Sequence, residues 1–92
     1  MNTYDQIATS IIKEQELLIG PIAWEQAQKV AGLAVDITAH QIEIKGSPRE
    51  VLEKLVAQYE KLFGPASREV CRDAVRPLLS QISQEEIPAV LR

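Results

Sequence analysis

The chain is poor in the residues that usually carry chemistry: among 92 residues there is one histidine and one cysteine. A single cysteine, Cys71, excludes an intramolecular disulfide, and a single histidine, His40, leaves no second imidazole for a triad. His40 has Asp36 and Glu43 nearby in sequence, but the spacing matches no common metal-ligand pattern, so His40 reads as a turn residue and no metal is expected. No glycine-rich loop of the kind that cradles phosphates is present, so no cofactor is expected. Aromatic residues make up 4% of the chain, which calls for a mainly aliphatic core with Tyr4, Trp24, Tyr59 and Phe63 as its larger pieces. Basic residues are outnumbered, 10 to 13, and the net charge of −3 argues against broad binding to nucleic acid, whose affinity rests on many Lys and Arg neutralising phosphates. There is no long apolar run and no charged-then-apolar leader, so the expectation is a cytoplasmic protein without a membrane partner.

What the chain does have is 46% hydrophobic residues arranged around two Gly-Pro corners. Leu18-Ile19-Gly20-Pro21-Ile22-Ala23 is matched by Leu62-Phe63-Gly64-Pro65-Ala66, 44 residues later (64 − 20). Proline disfavours the helical conformation in the residue before it and donates no N–H, while its own φ suits the start of a helix. Glycine tolerates positive φ, so each pair closes one helix and opens the next. With the corners in register, Glu16 falls on Glu60, Leu18 on Leu62 and Glu25 on Glu69, a faint internal repeat. Two copies are too few for a solenoid and suit a pseudo-symmetric four-helix domain.

In chain order, Thr3 and Gln6 form a capping box, and Tyr4, Ile7, Ala8, Ile11, Ile12, Leu18 and Ile19 follow at helical spacing. A second helix is expected from Pro21 to about Gly32, with Ala23, Ala27, Val30 and Ala31 as a narrow inner stripe and Trp24 at the edge of the core. Val35, Ile37, Ile42 and Ile44 then alternate, which predicts one extended connector or a small hairpin turning at 38–41. Ser47-Pro48-Arg49-Glu50 is a helix start with serine cap, first-position proline and a closing glutamate. Val51, Leu52, Leu55, Val56, Tyr59, Leu62 and Phe63 continue it as an apolar seam. The fourth helix follows Pro65 with Ala66, Val70, Cys71, Ala74, Val75, Leu78, Leu79 and Ile82 inward, and Pro77 is expected to kink or break it near Val75-Arg76. Ser83-Gln84-Glu85-Glu86 caps a last short helix that Pro88 keeps brief, with Arg92 frayed. The fold class is therefore mainly α: two helix, Gly-Pro, helix units, four main helices plus a short C-terminal one, joined by an extended segment or β-hairpin near 35–45, in one domain over 1–92.

Arg68, Arg72 and Arg76 recur every four residues and draw a positive line on one helix face. That line reads either as a site for an acidic partner or small anion, or as charge neutralised on the helix by Glu69 and Asp73. Cys71, beside Ser67, Ala74 and Val75, reads as a buried structural thiol. The stretch Ile19-Gly20-Pro21-Ile22-Ala23 also resembles small uncharacterised helical modules of cyanobacterial proteins, sometimes found alongside signalling domains such as serine/threonine kinases. The resemblance covers helix one and the first corner, departs from those modules over 35–45, and implies a stand-alone interaction or regulatory domain with no catalytic residues to carry over. The expected function is a non-catalytic protein-interaction or adaptor module, with a protein partner or a second copy of itself. The alternative is a binding domain for a small anionic ligand or nucleic acid, using Arg68, Arg72 and Arg76 with Trp24 as a further candidate; an enzyme using His40 or Cys71 is the weakest reading.

Overall fold

A computed structural model of the chain describes residues 3–82 and 87–91. The capping box at Ser83-Gln84-Glu85-Glu86 and the frayed end at Arg92 lie outside the described residues. Over the described residues the chain forms four α-helices and a two-stranded antiparallel hairpin, with short 3₁₀ segments at Arg76–Gln81 and Ala89–Leu91. Helix α1, Thr3–Ile19, buries Ile7, Ala8, Ile11, Ile12 and Gln15 on one stripe because spacings of three and four return to the same side of a helix. Gly20, at φ 76°, still donates its N–H to the Glu16 carbonyl at 2.8 Å, and Pro21, at φ −58°, precedes helix α2, Ile22–Ala27. The same sequence of events recurs at the other Gly-Pro pair. Helix α3, Pro48–Phe63, ends on Gly64, at φ 87°, whose N–H reaches the Glu60 carbonyl at 2.9 Å, and Pro65, at φ −61°, precedes helix α4, Ala66–Val75.

The second helix is shorter than its apolar spacing predicts, and stops at Ala27 rather than near Gly32. Beyond it the chain tightens into turns, with Lys29 bonded to the Gln26 carbonyl and Val30 to that of Ala27, both at 3.1 Å. Gly32 then takes φ 84° so that the backbone can approach helix α3, where an added Cβ would lie 2.9 Å from Val51 Cγ2. Once the helical period is lost, Val30 is still buried but Ala31 faces solvent, so Ala31 does not belong to the inner stripe.

The middle segment is a hairpin. Strand β1, Leu33–Asp36, pairs with β2, Gln41–Ile44, in the register Leu33 to Ile44 and Val35 to Ile42. The four-residue connection lacks an Asn-Gly or Asp-Gly turn. It closes instead through Asp36 Oδ1, which accepts from the Ala39 N–H at 3.1 Å, and through His40 at φ 53°. A lone two-stranded ribbon is marginal in water, and this one lies on the helices: Leu33 and Ile42 enter the core, and the Ile44 N–H donates to Asp5 Oδ1 of α1 at 3.3 Å.

Ser47 caps α3 by accepting the Glu50 N–H at 3.5 Å, with Pro48 in the first turn. Pro77 lies in the 3₁₀ segment Arg76–Gln81 that follows α4 directly, as expected where a proline removes a helical hydrogen bond. A last 3₁₀ turn, Ala89–Leu91, places Leu91 back in the core, and Arg72 Nε donates to the Val90 carbonyl at 3.2 Å to hold it there.

Several residues that periodicity places inward stay outside. Leu18, Leu62 and Phe63 are exposed, Ala66 is exposed, and Tyr4 and Ile19 are only half-buried. Leu18, Leu62, Phe63 and Ala66 all lie within two residues of a Gly-Pro pair, where the chain turns off and no described element passes over the helix end. Trp24 departs in the other direction: it is 1% exposed rather than at the core edge. The tip of the hairpin covers it, with the His40 ring stacked on the indole at 4.4 Å and 10° between planes. Its Nε1 finds no acceptor among the described residues. Burying an aromatic ring of roughly 150–250 Å² is favourable by about 4–6 kcal/mol, against about 1–3 kcal/mol for one orphaned donor, so burial wins.

Two buried side-chain to backbone hydrogen bonds among the described residues tie the helices together across the core. Tyr59 of α3 donates its hydroxyl to the Ala23 carbonyl of α2 at 2.6 Å, and Gln15 of α1 donates to the Ser67 carbonyl of α4 at 3.2 Å. Replacing Tyr59 by Phe keeps the ring and removes only the donor, so Tyr59→Phe is expected to cost about 1–2 kcal/mol, or roughly 4–16 °C in Tm for a domain of this size, with little change in the circular dichroism spectrum.

Candidate functional site

Those two hydrogen bonds bring the two Gly-Pro pairs to one end of the molecule. Gln15 lies five residues before Gly20 and Tyr59 five before Gly64 (20 − 15 and 64 − 59). Each therefore crosses from the last turns of one long helix to the first turn of the short helix that follows the other corner. Between them lies Cys71, fully buried, whose Sγ is 3.5 Å from Gln15 Nε2. Burial pushes the Cys71 thiol up to about 11, opposed by the Gln15 hydrogen bond and helped by the nearby Glu60 charge. Burial raises Tyr59 as well, with the Cys71 charge adding to it, and the neutral phenol is the form that can donate to Ala23. A buried thiol with a raised pKa holds few thiolates near neutrality, so Cys71 is placed as a packing residue.

Outside this buried centre the same end carries apolar side chains that nothing covers. Leu17 is 79% exposed, Leu18 65%, Leu62 47%, Phe63 39% and Ile22 38%. Leu18 is one turn beyond Gln15, Phe63 one turn beyond Tyr59, and Ile22 is next to Ala23, so the pattern of contacts below sets them around the corners above. The rim is unequal in charge. Glu14, Glu16 and Glu25 on α1 and α2 have no ion pair among the described residues, and Lys61 on α3 likewise has none. Helical periodicity hid this surface, because Leu18, Leu62 and Phe63 continue the spacing of buried residues. Leu17 was the one visible signal, since it lies off that stripe next to Leu18.

The arginine line is paired throughout. Arg68 Nη2 stands 2.7 Å from Glu60 Oε2, a close ion pair without hydrogen-bond alignment; Arg72 Nη1 bonds Glu69 at 3.2 Å; and Arg76 Nη2 meets Asp73 at 3.0 Å. Arg72 is further occupied with the Val90 carbonyl, so its guanidinium serves the packing of the C-terminal turn. Exposed pairs of this kind contribute little to stability, but they leave no row of free cations. The Trp24 side chain does not join the arginine line; its backbone N–H bonds the Pro21 carbonyl of the first corner, and its ring lies buried under His40. Among the described residues no group of three or more His, Cys, Asp and Glu is placed to hold a metal ion, and no helix is long and apolar enough to cross a membrane.

Compared with known protein families, with curated proteins and with solved structures, the chain matches none. Function must therefore be argued from these surfaces.

The buried thiol sets a pH dependence. Folding holds Cys71 protonated, so its contribution is fully present below the ordinary thiol value of about 9 and is lost as pH rises through about 11. Thermal melts between those values should show a falling Tm, and Cys71→Ala should flatten that fall. A thiol-reactive probe should label Cys71 only after denaturant unfolds the chain.

Proposed function

We propose that this chain is a non-catalytic protein-interaction module, made of two like helix, Gly-Pro, helix units, whose docking surface is the end that carries both corners. The observation behind this reading is the set of five exposed apolar residues there, Leu17, Leu18, Ile22, Leu62 and Phe63. Scattered apolar residues are ordinary on a soluble surface, but all five here lie within three residues of a Gly-Pro pair and beside unpaired charges, which suits a partner-binding surface.

The occupant we assign is an amphipathic helical segment of another protein, with an apolar stripe flanked by Lys and Arg. Its apolar stripe would meet the leucines, Ile22 and Phe63, and its cations would meet Glu14, Glu16 and Glu25. A second copy of this chain fits less well, because each copy would bring three uncompensated carboxylates and one uncompensated ammonium to the contact. The arginine line, read as a site for an anionic ligand or nucleic acid, has no free cation in Arg68, Arg72 or Arg76 to support it.

The two-unit reading rests on parallels between the halves. Three backbone hydrogen bonds recur with the same offset of 44 residues (64 − 20): Gly20 to Glu16 and Gly64 to Glu60, Ala23 to Gly20 and Ser67 to Gly64, Trp24 to Pro21 and Arg68 to Pro65. Buried positions recur as well, with Ile7 and Val51, Ala8 and Leu52, Ile11 and Leu55, Ile12 and Val56 all in the core. Most telling is that Gln15 to Ser67 and Tyr59 to Ala23 are the same contact with the halves exchanged, which is what a pseudo-two-fold axis produces. The similarity of the first corner to helical modules of cyanobacterial proteins, and a cytoplasmic setting, are in keeping with such a module.

A fluorescently labelled helical peptide of Leu and Lys, its leucines at spacings of three and four, tests the surface by anisotropy. The chain should bind it more tightly than the same peptide with Glu in place of Lys. The exposed double variant Leu18→Ser, Phe63→Ser should weaken binding by about tenfold or more while keeping its helical spectrum. Unchanged binding by that variant would sink the proposal. A concentration-dependent dimer in sedimentation, lost in the same variant, would replace the peptide by a second copy as occupant.

A further inference from the structure

A different part of the surface, on α1, combines polar side chains with a basic one. Gln6, Thr9, Ser10 and Lys13 share one face of α1, at the spacing at which residues three, four and seven apart stack along a helix. A polar face of this kind ordinarily opens to bulk water. Here Ala39 and His40 of the hairpin turn, Gln41 of β2 and Leu78 of the 3₁₀ segment border it, outlining an open groove of about 550 Å³. That is within the size range of small-molecule sites.

The lining is unusual for this chain. The chain has 13 acidic residues against 10 basic, yet among the described residues no Asp or Glu lines the groove, while Lys13 and His40 do. Among the carboxylates nearest in sequence, Asp5 accepts the Ile44 N–H and Asp36 the Ala39 N–H, while Glu14 and Glu43 do not line the groove. Thr9 spends its hydroxyl on the Asp5 carbonyl at 2.8 Å. The Lys13 ammonium, the Ser10 hydroxyl and the carboxamides of Gln6 and Gln41 have no partner among the described residues. They are the donors left over.

His40 is held there at a cost. It is the non-glycine residue of the described chain with positive φ, 53°, and its ring is pinned by the stack on Trp24. Left-handed backbone at such a residue costs about 1–2 kcal/mol and is tolerated where surrounding contacts impose it. The stack occupies one face of the imidazole and leaves both ring nitrogens without a hydrogen-bond partner among the described residues.

We propose that this cleft binds a small organic oxyanion, a carboxylate or a phosphate monoester. Lys13 supplies the counter-charge, and Ser10, Gln6 and Gln41 donate to the oxyanion. His40, fixed by Trp24, forms the rigid wall, and Ala39 and Leu78 receive the organic part. The site is independent of the corner surface and stands or falls separately from it.

Titration of the ¹⁵N-labelled chain with phenyl phosphate, benzoate and inorganic phosphate, at constant ionic strength set by sodium chloride, tests it. Saturable shifts are expected at Ser10, Lys13, His40 and Gln41, with a change in emission of Trp24, the single tryptophan. Phenyl phosphate against benzoate identifies the anionic group, and inorganic phosphate shows how much the organic part adds. Lys13 is exposed, so Lys13→Ala should fold normally and bind about tenfold more weakly, whereas Lys13→Arg should retain most of the affinity and Arg76→Ala all of it. Absence of saturable shifts with all three probes up to about 10 mM, or equal affinity in Lys13→Ala, overturns the proposal.

Discussion

The hydroxyl of Tyr59 on the Ala23 carbonyl, with the Gln15 amide on the Ser67 carbonyl, is the constraint on which this architecture hangs. Helix α2 has only six residues, and α4 only ten, lengths at which an isolated helix barely forms. Each short helix is held by a buried donor from a long helix of the other half of the chain. Both donors lie in a region that excludes water, where an unmet carbonyl would be costly and a charged partner more so. The raised thiol and phenol reflect the same fact: this centre is built to be neutral.

The hairpin depends on that helical frame and also completes it. Two four-residue strands would not persist alone, yet they are anchored at Asp5, at Leu33 and Ile42, and at the stack of His40 on Trp24. In return the hairpin tip buries the one tryptophan and raises a wall beside α1. An orphaned indole N–H and a left-handed histidine are the penalties accepted for that placement, and both are smaller than the gain from covering the indole.

The resulting surface has two chemically distinct regions. Around the corners, apolar side chains are rimmed by uncompensated carboxylates, and on that region we place the protein-interaction reading. Between α1 and the hairpin, an open groove lined by no carboxylate among the described residues gathers unpaired donors, and there we place an oxyanion site. The most conspicuous charged feature of the sequence, Arg68, Arg72 and Arg76, belongs to neither, since each guanidinium already has its carboxylate. Spacing alone showed that the three share a face and that Glu69 and Asp73 can pair Arg72 and Arg76; only the tertiary structure showed Glu60 on Arg68 and the Val90 carbonyl on Arg72.

What could be read from the sequence was whatever acts within about four residues along the chain. The Ser47-Pro48 start of α3, helix ends at the glycines before Pro21 and Pro65, the break before Pro77 and the buried stripes of α1 and α3 all follow from backbone geometry and helical period, which neighbours in sequence settle between themselves. The mainly helical class with an extended middle segment follows from these. Tertiary structure decided the rest: where α2 stops, how deeply Trp24 is buried, which apolar residues beside the corners stay in water, and which side chains wall the cleft on α1. Those depend on residues far apart in sequence, Gly32 against Val51, His40 on Trp24, Gln15 with Ser67, and no local periodicity encodes whether another element will arrive to cover a given face.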